Sequence, residues 1–359
     1  MSHGSFMHRC LELAKQGVGY VAPNPMVGAV LVHEGKIIGE GYHQQYGQAH
    51  AEVNCIRSLR PEDQHLVPYS TLYVSLEPCA HYGKTPPCAD LIIQQRIPKV
   101  VIACRDPFKE VNGKGIERLQ AAGVEVIYGI LEKEAKKLNK RFFTFHTKHR
   151  PYIILKWAQT ADKKSASPNP SEGGASRLLI SNEYTNRLVH KWRSEEASIL
   201  VGTNTALYDN PELTTRSWIG SSPIRLVIDM NLRLPKDLKL FDGKTPTIIF
   251  NTRKHDIENF SPSPFGMAGV GLYQVTEDVD LVHQIVHALY QMKIQSVLVE
   301  GGARLLQSFI DENMWDEIRV ITNEEMSIGE GLSAPAFTEK NKILEQKILS
   351  DKIEIFIND

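Results

Sequence analysis

The chain has 359 residues, with 41 Lys plus Arg against 42 Asp plus Glu, and five cysteines. That length exceeds one ordinary hydrophobic core and predicts two domains, while the balanced charge excludes the broad basic field on which backbone binding to nucleic acid depends. The odd cysteine count sets no disulfide framework and no apolar run approaches membrane-spanning length, so a cytoplasmic protein acting on a small anionic molecule is expected.

In chain order, residues 6 to 17 have helical spacing without the continuous apolar core of a secretory signal. Residues 27–33 and 36–42 predict a hairpin turning at Glu34-Gly35. A helix follows from Ala49 to Leu59, with Val53, Ile56 and Leu59 at helical spacing. Next come a strand over 71–76, a helix over 87–95, a strand over 99–104, a helix near 115–122 and a strand at 124–128. Strands alternating with helices imply an α/β layer fold. A charged helix from Glu132 to Lys140 leads into the basic run His146 to Arg150, and Pro151 opens a fresh strand. The domain boundary is placed there, giving domains 1–148 and 149–359.

The second half repeats the alternation, with strands near 152–157, 197–201, 224–229, 246–250 and 296–299 and helices near 182–192, 279–291 and 303–311. Asp162 to Ser176 is rich in Ser, Pro, Gly and Lys and reads equally as a surface loop or a substrate lid. Ser261 to Gly271 reads as a loop.

The residues that carry chemistry lie in the first half. His50-Ala51-Glu52 is followed by Glu77-Pro78-Cys79 and then by Pro86-Pro87-Cys88. One imidazole and two thiolates fill three tetrahedral positions on Zn2+ and leave the fourth open for water, as a catalytic rather than a structural zinc requires. The order matches the deaminase signature of His-x-Glu followed by Pro-Cys-x-x-Cys, in which the glutamate is the general acid and base. Here the gap between the cysteines is widened to eight residues. His50 and Glu52, two apart, need a helix start to face one site, and proline in the first turn of a helix suits both Pro-Cys pairs. Cys10, Cys55 and Cys104 read as buried thiols, and Asp106 in Arg-Asp-Pro as a turn former.

The run SLEPCAHYGKTPPC, with NPMVGAV and HAEV before it, resembles the RibD family of bifunctional riboflavin-biosynthesis enzymes, and the resemblance extends over the rest of the chain. It implies an N-terminal cytidine-deaminase-like three-layer α/β/α domain and a C-terminal dihydrofolate-reductase-like α/β domain. The implied reactions are zinc-dependent deamination of a diaminopyrimidinone ribosylamine 5′-phosphate and then NADPH-dependent reduction of its ribose. By the resemblance Asn24 would hydrogen-bond the pyrimidine edge, and His43, His81 and Lys84 would hold the 5′-phosphate. For His43 an ordinary polar residue after a strand is an equal alternative.

In the second half the stretch from Ile199 to Arg216 carries the likeness. Thr205 and Asp209 would contact the nicotinamide nucleotide. Arg193, Leu213, Arg216 and Glu300 would contact substrate, with a solvated helix face beside Lys191, Glu195 and Glu196 as the alternative for Arg193. Gly301, Gly302, Ala303 and Arg304 would admit cofactor phosphates at a helix N-terminus, although an ordinary strand-to-helix turn reads the same way. Arg253 is a candidate partner for the 2′-phosphate. Two departures stand out, since the family has Ser-Leu-Asp-Gly where this chain has Thr160-Ala161-Asp162-Lys163, and a tryptophan where Leu179 stands. They keep open a working deaminase joined to a nucleotide-binding domain that reduces nothing. A nucleic-acid-editing deaminase is the third reading, opposed by neutral charge and by the lack of a basic, aromatic stacking surface. A homo-oligomer is expected.

Overall fold

The computed structural model describes residues 2–82, 86–108, 111–165, 179–257, 269–339 and 341–358. It divides into two compact units, Met1–His149 and Arg150–Asp359.

The first unit begins with α1 (His3–Lys15), β1 (Gly28–His33), β2 (Lys36–Tyr42), α2 (Ala51–Arg57) and β3 (Thr71–Val74). It continues through α3 (Cys88–Gln94), β4 (Lys99–Ile102), α4 (Lys114–Ala121), β5 (Glu125–Tyr128), α5 (Glu132–Leu138) and α6 (Lys140–Lys148). The sheet order is β2-β1-β3-β4-β5, with β1 antiparallel to both neighbours and β3, β4 and β5 parallel. Glu34 and Gly35 both have positive φ, which suits the tight turn between β1 and β2 to the strands' twist. Side chains alternate between the two faces of the sheet. Leu31, Leu72, Val74 and Ile102 pack with Cys55 of α2, Ile92 of α3 and Leu119 of α4. Val30, Val32, Tyr73 and Val101 pack with Met7 and Cys10 of α1, Ala135 of α5 and Phe142 of α6. Each large side chain so buried contributes about 1.5–3 kcal/mol, and helices on both faces make the three-layer arrangement.

Three details differ from the expected pattern. Helix α2 turns Ala51 and Cys55 to the core, with Leu59 just beyond its end, whereas Val53 and Ile56 are half-buried. Close approach to β2 decides this, because a Cβ on Gly41 would lie 2.2 Å from the Cys55 amide nitrogen. The charged helix breaks at Asn139, and the run through His146 belongs to α6, which buries Phe142 and Phe145. Residues Pro61–Tyr69 coil as a 3-10 helix that hydrophobic spacing does not announce.

The second unit contains β6 (Tyr152–Thr160), β7 (Lys164–Ser165), α7 (Glu183–Glu195), β8 (Ser198–Val201), α8 (Thr203–Asp209), β9 (Ile224–Ile228), β10 (Thr247–Asn251) and β11 (Val270–Gln274). After these come α9 (Leu281–Gln291), β12 (Ser296–Val299), α10 (Ala303–Asp311), β13 (Glu317–Asn323), β14 (Leu332–Ser333), β15 (Lys342–Ile348) and β16 (Asp351–Ile357). Nine strands run in the order β11-β10-β9-β8-β12-β6-β13-β16-β15, parallel as far as β13 and antiparallel from there to the β15 edge. One face packs on α9 and α10 through Ile285, Leu289, Leu306 and Phe309. The other meets α8 through Ala206 and α7 through Val189 and Trp192.

Helix α8 and strands β11, β13, β15 and β16 are absent from the sequence-based expectations. Only Ala206 of α8 is buried, so no apolar stripe marks it. Strand β13 hides a charged pair, Arg319 Nε donating to Glu317 Oε1 at 2.6 Å, with the guanidinium stacked 4.7 Å from the Trp192 ring. Strand β15 is an exposed edge and shows no buried alternation. Val270 and Gly271, read as loop, open β11, and the preceding residues 261–268 lie outside the described residues. Of the expected loop or lid at 162–176, Lys164 and Ser165 pair with β14, and 166–176 lie outside the described residues.

Candidate active sites

In the first unit, His50 is the N-cap of α2 and keeps an extended backbone, so that Glu52 two residues later already sits in the helical first turn. Cys88 opens α3 with Pro87 as its N-cap. Cys79, contrary to the expectation for its Pro-Cys pair, lies in the loop after β3 rather than in a helix. The backbone N–H of Cys88 donates to Cys79 Sγ at 3.3 Å, so a helix start still serves that sulfur. His50 Nδ1 stands 3.3 Å from Cys88 Sγ and 3.6 Å from Cys79 Sγ, and the three ligand atoms all lie within 4.8 Å of one another.

The electrostatics fit a soft dication. The Cys79 thiol is held well below its ordinary value, chiefly because Cys88 donates to it, with burial opposing and His50 assisting. Cys88 is raised by that same hydrogen bond and by burial. Two cysteine sulfurs beside an imidazole are a donor set of the kind that can hold zinc with loss of the thiol protons. Glu52 is 3% exposed, and burial raises its pKa despite the opposing influence of His50. A carboxyl so placed can take up and return a proton.

Around this centre, Asn24 Nδ2 is 3.1 Å from His43 Nε2, and His43 Nδ1 is 3.0 Å from the Ala49 carbonyl. His43 is 2% exposed. His81 stacks edge-on to Phe108, and its buried Nδ1 has no hydrogen-bond partner among the described residues. Lys84 lies outside the described residues. Asp106 accepts from the Phe108 amide at 2.8 Å, as a turn former does, and burial pushes its carboxyl up to about 7. Glu77, two residues before Cys79, receives four backbone N–H groups, from Asp106, Gly113, Gly115 and Ile116. Cys10, Cys55 and Cys104 are buried free thiols.

In the second unit, the Arg193 side chain is 12% exposed, which excludes a solvated face. Its Nε and Nη2 donate to Glu300 Oε1 and Oε2 at 3.0 and 2.6 Å, a bidentate pair. Burial pushes Glu300 up, but the charges of Arg193 and Lys156 outweigh it and hold the carboxyl at about 2. Lys156 Nζ lies 3.9 Å from Glu300 Oε2. Sequence reading passed over Lys156, although one lysine in the run YIILKWA was a visible signal. Leu213 has φ +52 and its side chain in the core, so it offers a ligand backbone only. The Arg216 side chain is about half exposed, 4.0 Å from Glu212.

Thr205 and Asp209 lie on α8, and Gly302 is the N-cap of α10, whose first residues are Ala303 and Arg304. At Gly301, φ is +155 and a Cβ would come within 2.9 Å of Thr205 Cγ2, so the glycine lets the backbone run close against the Thr205 side chain of α8. Both helix starts follow parallel strands, the end of a sheet where nucleotides bind. Arg253 follows β10 and donates to Asn231 Oδ1 at 2.7 Å. Lys163 has φ +55, the conformation for which a glycine is usual, and Leu179 is 64% exposed.

A family model for the cytidine and deoxycytidylate deaminase zinc-binding region matches residues 1–104, and one for the RibD C-terminal domain matches residues 151–345. The riboflavin biosynthesis protein RibD of Aquifex aeolicus is 39% identical, across 98% of this chain and 97% of that protein. A diaminohydroxyphosphoribosylaminopyrimidine deaminase/5-amino-6-(5-phosphoribosylamino)uracil reductase from Thermotoga maritima superposes with a TM-score of 0.84 at 35% identity, covering 98% of this chain and 97% of that one. Acinetobacter baumannii RibD gives 0.85 at 30% identity, covering 99% and 98%. The two expected folds, deaminase-like and then dihydrofolate-reductase-like, therefore hold. Among the described residues no helix is long and apolar enough to cross a membrane. Likeness running through both units from end to end decides the family: the chain belongs to RibD, the riboflavin-biosynthesis enzymes that join a zinc-binding deaminase to a reductase.

Proposed function

We propose that the first unit deaminates a diaminopyrimidinone ribosylamine 5′-phosphate and that the second reduces the ribose of the product with NADPH. The observation that carries the first half is the buried carboxyl of Glu52 beside the cluster of His50, Cys79 and Cys88. Zinc held by those three residues would supply Lewis acidity that activates water at neutral pH. Glu52 takes the proton from the attacking water and hands it to the departing amine. Water thereby adds at the ring carbon bearing the exocyclic amine, ammonia leaves and a carbonyl remains. Asn24 offers both a donor and an acceptor to the pyrimidine edge. His81, with its unpartnered Nδ1, and Lys84 hold the phosphate.

In the second half NADPH supplies the hydride. Gly301, Gly302, Ala303 and Arg304 receive its phosphates, Thr205 and Asp209 contact the nucleotide, and Arg253 meets the 2′-phosphate. Arg193, Arg216, Glu300 and the backbone of Leu213 hold the substrate. Lys163 has φ +55, a left-handed conformation that a glycine adopts without strain, which supports a turn here of the kind a glycine would make. Buried free thiols at Cys10, Cys55 and Cys104 fit a cytoplasmic setting.

Glu52→Gln separates the halves. The variant should keep its zinc and lose about 10²–10⁴-fold in ammonia release, while reducing supplied deaminated substrate at the wild-type rate. Ammonia release within a few-fold of wild type in a zinc-replete variant would overturn the assignment.

A further inference from the structure

We infer that His43 is a positioning residue that sets the orientation of the Asn24 amide, and not a ligand of the phosphate; the inference rests on the reading of Asn24 as the pyrimidine contact. A carbonyl oxygen can only accept, so the His43 nitrogen facing Ala49 O at 3.0 Å, Nδ1, carries the hydrogen. In the neutral ring that leaves a lone pair on Nε2, 3.1 Å from Asn24 Nδ2. The amide NH2 of Asn24 therefore donates to His43. This fixes which end of the amide is which, a choice that is otherwise free. Asn24 is left with its carbonyl oxygen and one N–H for a ligand, an acceptor beside a donor.

The same histidine ties the pyrimidine side of the site to its metal side. Ala49 immediately precedes His50, and its carbonyl also receives Asn54 Nδ2, which donates in turn to Tyr42 O at 2.8 Å. The His43 amide donates to Val27 O at 2.9 Å, and its ring stands edge-on to His50 with centroids 5.4 Å apart. With both ring nitrogens engaged and 2% of the residue exposed, His43 has no N–H to offer an anion. A side chain that holds one neighbour by each nitrogen transmits the position of the His50 segment to Asn24.

The test compares Asn24→Ala, His43→Ala, His43→Gln and the Asn24→Ala/His43→Ala double variant, zinc-loaded, on substrate with and without its 5′-phosphate. Glutamine can place an acceptor near the position of Nε2. His43→Ala should lower kcat/KM by about 10- to 100-fold on both substrates, cost little more when added to Asn24→Ala, and be largely rescued by His43→Gln. In protein carrying 15N-labelled histidine, His43 should show the Nδ1–H tautomer, and Asn24→Ala should shift its Nε2 resonance. A loss confined to the phosphorylated substrate, or full additivity with Asn24→Ala, would overturn the role of His43 alone. An Asn24→Ala variant with unchanged kcat/KM would remove the pyrimidine contact and the inference together.

Discussion

Glu77→Gln should destabilise the first unit and loosen its metal. The carboxylate divides its four backbone donors evenly, with Asp106 N at 3.3 Å and Gly113 N at 3.0 Å on Oε2, and Gly115 N at 2.9 Å and Ile116 N at 3.3 Å on Oε1. Glutamine has the same shape but only one oxygen, so whichever way it turns, its NH2 faces two buried N–H groups. Each orphaned donor costs about 1–3 kcal/mol, which sums to about 2–6 kcal/mol against a typical domain stability of about 5–15 kcal/mol. All four tryptophans, Trp157, Trp192, Trp218 and Trp315, belong to the second unit. Urea titration followed by tryptophan fluorescence thus reports on that unit, while far-UV circular dichroism reports on both. The dichroism transition should move to lower urea with the fluorescence transition in place, and a chelator should strip zinc faster, because Cys79 lies two residues from the anchor. Stability within about 1 kcal/mol of wild type and unchanged zinc release would refute the anchoring role.

The Glu300 carboxyl is held at about 2, below its ordinary 4.5, so its contribution is present above the unfolded value and is lost as pH falls towards the folded one. That difference is worth about 3 kcal/mol at neutral pH, and the stability gap between wild type and Glu300→Gln, read by tryptophan fluorescence, should narrow by about 1 kcal/mol between pH 7 and pH 3.5; a constant gap would contradict it. Lys163→Gly should raise the urea midpoint, because a left-handed residue other than glycine costs about 1 kcal/mol; a lower midpoint would show that the lysine side chain makes up for its strain. Gly301→Ala should weaken NADPH binding at least about tenfold, since the added Cβ meets Thr205 and the positive φ is strained; titration of cofactor fluorescence checks this, and unchanged affinity would place the cofactor elsewhere.

The cluster of His50, Cys79 and Cys88 was legible as a candidate metal centre because residue type and spacing point to that chemistry. A lone imidazole and two cysteines behind prolines have few other uses, and the fold brings those atoms together across α2, the loop after β3 and α3. The layers were legible where short apolar runs are unbroken, as in Val30 to Val32 and Ile153 to Leu155, strands buried on both faces. What escaped depends on contacts that only the folded chain makes. Nothing in the sequence says that Glu317 and Trp192 enclose Arg319, or which carboxylate Lys156 meets. The tautomer of His43 needs Ala49 and Asn24 at once, and the four donors to Glu77 come from the loop before α4 and from its first turn, 29 to 39 residues on. Helix α8 carries Thr205 and Asp209 on a segment with almost no apolar face, so only the resemblance marked it.

The most direct test is to incubate the zinc-loaded protein with the diaminopyrimidinone ribosylamine phosphate, with and without NADPH, and to follow the product by mass spectrometry. Exchange of one amine for a carbonyl oxygen in both reactions, with two further hydrogens gained only when NADPH is present, is the expected result. An unchanged substrate mass would contradict the deaminase assignment, and amine exchange with no gain of hydrogen under NADPH would contradict the reductase.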